Sequence, residues 1–221
     1  MWKAWRRSVY RAKLSQPERR LLSESQLLAA TCQVAVRDGL QGLTCEEVGR
    51  LAGYSRAQAY QRFGSKEGLL VAAVRYLRTD RRNYWENRMS GHLSGLEALI
   101  EHFSIHLRAI SLRLETAAFF EMISHHAPDL IELRREVAIA KSELLDEIKL
   151  LIGSGLQDGS IDPQHDCTED SVLHLGLMLG VATEFLVARQ DDELGRLRSR
   201  GEELVRRCFT GSETRQILVR H

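Results

Sequence analysis

Proline occurs only three times in the 221 residues, and no alternating run of Val, Ile or Thr interrupts a background rich in Leu, Ala, Arg and Glu. Without such alternation there is no sheet to build, and with so few prolines long helices run unbroken. The four cysteines, Cys32, Cys45, Cys167 and Cys208, form no Cys-x-x-Cys pair. They read as reduced, small apolar residues of a cytoplasmic protein. A secretory leader is lacking, because the basic start MWKAWRRSVYRAK is not followed by an apolar core. The longest apolar run, Val172 to Ala188, carries His174, Thr183 and Glu184. It is expected to be a buried helix rather than a membrane span. No nucleophile elbow, phosphate loop or His-Glu-x-x-His motif is present, so no enzyme is expected.

The hydrophobic content of 43% is enough for a sizeable core in one or two all-helical domains. A formal charge of +1 conceals an asymmetry. Residues 1–66 hold 12 Lys/Arg against 5 Asp/Glu, a net of +7, and the remainder holds 19 against 25, a net of −6. A basic end of this kind is the electrostatic footprint of a nucleic-acid-binding module, and the acidic part should avoid phosphate.

Within the basic part, LTCEEVGRLAGYSRAQAYQRFGSKEGLL (Leu43 to Leu70) reads as two short helices joined by a tight turn and running into a third. Thr44 with Glu47, and Ser55 with Gln58, are spaced as capping boxes, and Ser65 caps again. Val48, Leu51 and Ala52 make one apolar face, and Ala59 and Phe63 a second. Gly53 falls where a left-handed residue is needed. Upstream, Ser15, Pro17 and Glu18 start a helix, Leu27, Ala30, Thr31, Val34 and Ala35 repeat on one face of it, and Gly39 and Gly42 end it. A short helix, a glycine turn and a second short helix match a helix-turn-helix, but also suit an ordinary corner between two helices. The outer face of the second helix offers Arg56, Ala57, Gln58, Gln61 and Arg62. Arg reads guanine and Gln reads adenine through paired hydrogen bonds in a major groove.

This stretch resembles the DNA-binding signature of the tetracycline-repressor (TetR) family. The resemblance rests on Thr44, Val48, Ala52, Gly53, Ser55, Tyr60, Phe63, Ser65, Lys66, Glu67, Leu69 and Leu70, with Leu27 to Gly39 similar to the family's first helix. Gly49, Tyr54, Ala35, Gln58 and Ala59 depart from it, at positions usually held by Ala, Val, Phe, Thr and Leu. The resemblance implies that Thr44, Tyr60 and Lys66 contact the phosphate backbone. For Tyr60 the alternative is a core aromatic. It also implies a C-terminal region that encloses a cavity for a small inducer.

Residues 1–14 form a basic arm able to reach phosphates or a minor groove, or else a plain tail. A linking helix runs from Ser65 to about Met89. Helices follow near 93–110, 115–125, 129–157, 168–189 and 192–209, with a break at Ser90-Gly91 and a tail from 211 to 221. Phe103, Leu107, Phe119, Phe120, Met122 and Ile123 are apolar core or the wall of a ligand cavity, and His102, His106, His125, His126 and His174 its polar groups. His102 with His106, Glu121 with His125, and Asp170 with His174 have metal-ligand spacing. No Glu-x-x-His pair accompanies them, and such helical pairs are common by chance, so no metal is expected. Val172, Leu175, Leu179 and Leu186, with Gly176 and Gly180, and Leu194, Leu197, Leu204, Val205 and Phe209 are the expected dimer face, the alternative being packing within the chain.

The expectation is an all-α chain: a basic arm (1–14), a three-helix DNA-binding domain (15–64), a helical regulatory and dimerisation domain (65–210, of which 65–89 is the link) and a tail (211–221). Its function is that of a sequence-specific transcriptional regulator, a repressor released from its operator by a small ligand. The DNA-contacting residues are Thr44, Arg56, Ala57, Gln58, Tyr60, Gln61, Arg62 and Lys66, and the ligand residues Trp85, Phe103, His106, Phe119, Ile123 and His174. The partners are a pseudo-palindromic duplex, a small-molecule effector and a second copy of the chain, with no membrane, cofactor or metal. The rival readings are a regulator without a ligand, and a helical-bundle enzyme or metal-binding protein.

Overall fold

The computed structural model describes residues 15–89, 91–125, 127–188 and 191–210. The expected arm, the tail, His126 and Ser90 of the expected break lie outside them. The described residues form helices and no strand: α1 (Gln16–Gly42), α2 (Cys45–Ala52), α3 (Arg56–Phe63), α4 (Lys66–Glu86), α5 (Gly95–Leu112), α6 (Leu114–Ser124), α7 (Ile131–Asp158), α8 (Cys167–Ala188) and α9 (Asp191–Phe209). They divide into two compact units, with the division between Ala73 and Val74.

In the first unit the local chemistry sets each boundary. Ser15 accepts from the Glu18 amide, and the Glu18 carboxylate accepts from the Ser15 amide at 2.7 Å, so both ends of a capping box are made at the start of α1. The expected face Leu27, Ala30, Thr31, Val34 and Ala35 is buried. Gly39, at φ 68°, kinks the end of α1. Thr44 caps α2 by accepting from the Glu47 amide at 3.1 Å, but its expected capping box is only half made. The Glu47 carboxylate is turned to Arg37 (2.6 Å) and Arg50 (2.7 Å) instead, because two guanidinium partners compete better for a carboxylate than one amide. Gly53, at φ 77°, donates to Arg50 while Tyr54 donates to Gly49. This is the double bond of a left-handed helix stop. Ser55 and Gln58 complete the second capping box at the start of α3.

In the second unit α5 lies at the centre, packed against α6, α7, α8 and α9. Phe103, Leu107, Phe119, Phe120, Met122 and Ile123 are all fully buried. Two close approaches set the spacing. A Cβ on Gly95 would fall 2.0 Å from the Gly155 backbone nitrogen, so α5 crosses α7 backbone to backbone. A Cβ on Gly201 would fall 2.4 Å from the Phe103 ring, so α9 lies flat on α5. The amides of Gly95 and Leu96, which lack partners in their own helix, donate to Asp158 (2.8 Å) and Ser160 (3.0 Å) at the end of α7.

The polar end of the linking helix is not uniformly exposed: Asn83, Glu86, Asn87 and Arg88 face solvent, but Arg78 and Arg81 before them do not. Arg75, Arg78, Arg81 and Arg82 of α4 pair with Glu136, Glu143 and Glu147 of α7, leaving Arg81 2% and Glu136 4% exposed. One expectation changes here: α8 is not buried all round. Ser171, His174, Leu175, Met178, Ala182 and Phe185 are buried on one face, while Val172, Leu173 and Val187 are 54%, 70% and 81% exposed on the other. Among the described residues α8 is the one helix long and apolar enough to cross a membrane.

Candidate nucleic-acid interface and a buried polar cluster

On α3 only Ala59 is buried. That methyl seats the helix on the unit's core, and Arg56, Ala57, Gln58, Tyr60 and Gln61 are exposed around the rest of its surface. Gln58 has a second duty, accepting from the Ser55 amide at 2.9 Å. Tyr60, 55% exposed, is not a core aromatic. Arg62 is placed differently from its neighbours. Its guanidinium donates to the Arg20 carbonyl (3.2 Å) and the Ser23 hydroxyl (3.0 Å) of α1 and lies 3.8 Å from Glu24, so it braces α3 against α1.

Two of the expected phosphate-contacting residues, Thr44 and Lys66, sit at helix starts, and Tyr60 lies within α3. Thr44 is the exposed cap of α2. Lys66 opens α4, its ammonium 3.4 Å from the Gln41 carbonyl. Burial pushes the neighbouring Cys45 thiol up, and the Arg56 and Lys66 charges act against that. Arg56 and Lys66 are thus near enough to the start of α2 for their charges to act on Cys45. Helix N-termini with unpaired amides, flanked by cations, are what a phosphate backbone requires.

In the second unit the expected ligand residues Trp85, Phe103, His106, Phe119, Ile123 and His174 are all buried, and five of them meet through ring contacts. Trp85 lies 4.6 Å from His102 and 5.7 Å from His106 between ring centroids, and Phe103 lies 5.8 Å from His174. Phe119 stacks edge-on with Phe120 and carries the Arg81 guanidinium at 5.6 Å. The rings fill this space with one another. Ile123 is buried in the same unit.

At its centre His102, which sequence reasoning named, meets two polar groups that it left out, Arg81 and Glu147. Arg81 donates to both oxygens of Glu147 at 2.7 Å and lies 3.3 Å from His106 Nε2. His106 Nδ1 is 2.7 Å from the His102 carbonyl, which makes Nδ1 the protonated nitrogen and leaves Nε2 with its lone pair. His102 Nε2 stands 3.6 Å from Glu147, beyond a hydrogen bond. Neither nitrogen of His102 or of His174 has a hydrogen-bond partner. Burial holds the His102 and His106 pKa values below the ordinary imidazole range and that of His174 at about 3. For Glu147 burial acts upward, but His102 and Arg81 overcome it and hold the carboxyl at about 2. The ligand-like spacing of Asp170 and His174 does not bring the two together. Asp170 bonds His165 at 2.9 Å, and His174 turns toward His102.

A short capped helix, a left-handed glycine turn and a second helix with an exposed polar face define a helix-turn-helix module on a larger helical frame. Residues 27–73 match the family model for bacterial regulatory proteins of the tetR family, whose regulators are DNA-binding transcription factors. That stretch, about a fifth of the chain, is therefore similar to the amino-terminal domain of this family. No curated protein matches the chain in sequence. Its fold is shared with solved structures. These include a putative TetR-family transcriptional regulator from Rhodococcus sp., with a TM-score of 0.70 and 20% identity over 85% of this chain and 98% of that one. A TetR transcriptional regulator from Chloroflexus aurantiacus has a TM-score of 0.73 and 17% identity over 85% and 96%. The transcriptional regulator FadR from Bacillus subtilis, in complex with stearoyl-CoA, has a TM-score of 0.71 and 18% identity over 82% and 96%.

Proposed function

We propose that this chain is a cytoplasmic repressor that binds a pseudo-palindromic operator as a homodimer and is released from it by a small molecule. The observation that carries the reading is the surface of α3, where Ala59 alone is buried and Arg56, Ala57, Gln58, Tyr60 and Gln61 face outward. Arg56 and Gln61 are the base readers, and Thr44, Tyr60 and Lys66 hold phosphates. One such module reads only a few base pairs, which favours two copies with their α3 helices about one duplex turn (~34–36 Å) or a multiple of it apart.

The outward face of α8 supports the dimer. Val172, Leu173 and Val187 are exposed there, and the space above Gly176 and Gly180 is open, so a second helix can approach closely. Leu175, Leu194, Val205 and Phe209, expected in that contact, are buried within the chain and are not part of the face. Effector binding is proposed around Trp85, Phe103, His106, Phe119, Ile123 and His174. The stearoyl-CoA of the Bacillus subtilis FadR complex supports a ligand-responsive helical unit on this fold. A differential affinity of a few kcal/mol between two states of the chain is enough to change operator occupancy strongly.

The test is selection from a pool of random duplexes followed by a salt titration on the winning sequence. A two-fold-symmetric motif should emerge, and its affinity should fall steeply with salt as phosphate counterions are released. Binding that is indifferent to both sequence and salt would overturn the reading.

A further inference from the structure

The polar cluster at the heart of the second unit has the donor set of a metal site, with an arginine held against it. His102, His106 and Glu147 bring three ligand atoms within 4.8 Å of one another, and both histidines are fully buried. The His106 tautomer is the one a ligand needs, with Nδ1–H donating to a carbonyl and Nε2 carrying the lone pair. That lone pair and the Glu147 carboxylate converge on one positive group, the Arg81 guanidinium. His102 has no hydrogen-bond partner on either nitrogen, nor has His174, whose ring lies 6.1 Å from that of His102. Buried polar atoms without partners are uncommon in folded proteins, and here four lie on two neighbouring imidazoles.

We propose that His102, His106 and Glu147 bind a divalent transition-metal ion of the zinc class, and that the ion displaces the Arg81 guanidinium from them. Two imidazoles and one carboxylate are a borderline-soft donor set that suits zinc, and the coordination is completed by His174 or water. Around zinc, donors lie about 2.0–2.2 Å from the ion, hence roughly 3.5 Å from one another. Side-chain rotation alone draws the three together once Arg81 has withdrawn. The guanidinium and the ion are rivals for one set of lone pairs, so Arg81 sets how tightly the metal is held. Ion binding breaks the α4–α7 tie at this point and leaves the outer pairs of the ladder in place. This proposal does not depend on the DNA-binding reading.

The test is titration of the metal-free full-length chain with cobalt(II), then with zinc as competitor. One equivalent of cobalt should bind with visible bands of four-coordinate nitrogen and oxygen ligation and without a thiolate charge-transfer band, and zinc should abolish those bands. His106→Gln should weaken binding at least tenfold. Arg81→Gln should tighten it at least tenfold, and zinc should then raise the melting temperature of Arg81→Gln more than that of the unmodified chain. The melting readout keeps the test meaningful even where Arg81→Gln is less stable, since bound metal restores what the lost ion pair removes. Absence of stoichiometric cobalt binding, binding unchanged in His106→Gln, or binding weakened in Arg81→Gln would overturn the proposal.

Discussion

Arg81 donates a separate nitrogen to each oxygen of Glu147, both at 2.7 Å, from a position only 2% exposed. It is the innermost rung of the ladder between α4 and α7. A buried pair of this geometry adds little over an apolar pair of the same shape, but removing one member strands the other in a dry interior. Disruption of the ladder is therefore expected to be far more damaging than its net contribution implies.

The middle rung gives a measurable case. Arg78 bonds both Glu136 and Glu143, and its hydrogen bonds hold the Glu143 carboxyl below the ordinary carboxylate range. A folded-state pKa lowered in this way contributes stability that is complete above about pH 4.5 and disappears as the pH falls below it. Arg78→Met leaves Glu136 with Arg75 and Glu143 with Arg82, and should cost about 1.5 kcal/mol at neutral pH. It should also flatten the loss of stability as the pH falls through the carboxylate range, as denaturant unfolding at stepped pH would reveal.

At the duplex, Arg56→Ala is expected to change the preferred sequence, by about 1–3 kcal/mol at the affected base pair. Lys66→Ala should weaken binding to all sequences alike and lower the salt slope by about 1. Competition binding with single-base operator variants at two salt concentrations separates the two outcomes.

Arg62, by contrast, should leave sequence preference untouched. Its bonds to Arg20 and Ser23 hold α3 on α1, so Arg62→Ala is expected to lower the stability of the first unit by about 1 kcal/mol. Thermal melting, with duplex selection as the control, is the measurement.

For the second copy, Val187→Glu on the outward face of α8 should shift the chain toward a monomer in sedimentation equilibrium without changing its fold, because Val187 is 81% exposed. Leu175→Glu should instead prevent folding, since that side chain is buried within the chain.

The helix-turn-helix unit was legible because its signals are local. Ser15, Thr44, Ser55 and Ser65 announce helix starts through bonds to residues three positions away, and Gly53 announces a stop through its backbone. The polar ladder was not legible, because it needs a basic stripe on α4 and an acidic one on α7 to meet across about sixty residues of chain. Each stripe alone reads as a solvated face. The same holds for Arg62, whose α1 partners are some forty residues away. On α8 the residue types are apolar all round, so only packing distinguishes buried Leu175 from exposed Leu173. The histidine pair on α5 was visible from spacing, but Glu147 and Arg81 had to be brought to it by the fold.

The contact of Gly95 with Gly155 bears on how this sequence can drift. A side chain at position 95 would strike the backbone of α7, and one at position 155 would strike Ile161. Neither glycine can enlarge alone, and enlarging both would prise α5 off α7 and slacken the ring-filled interior between them. Among descendants of this chain the two positions are expected to stay small together, while exposed residues of α3 are free to diverge.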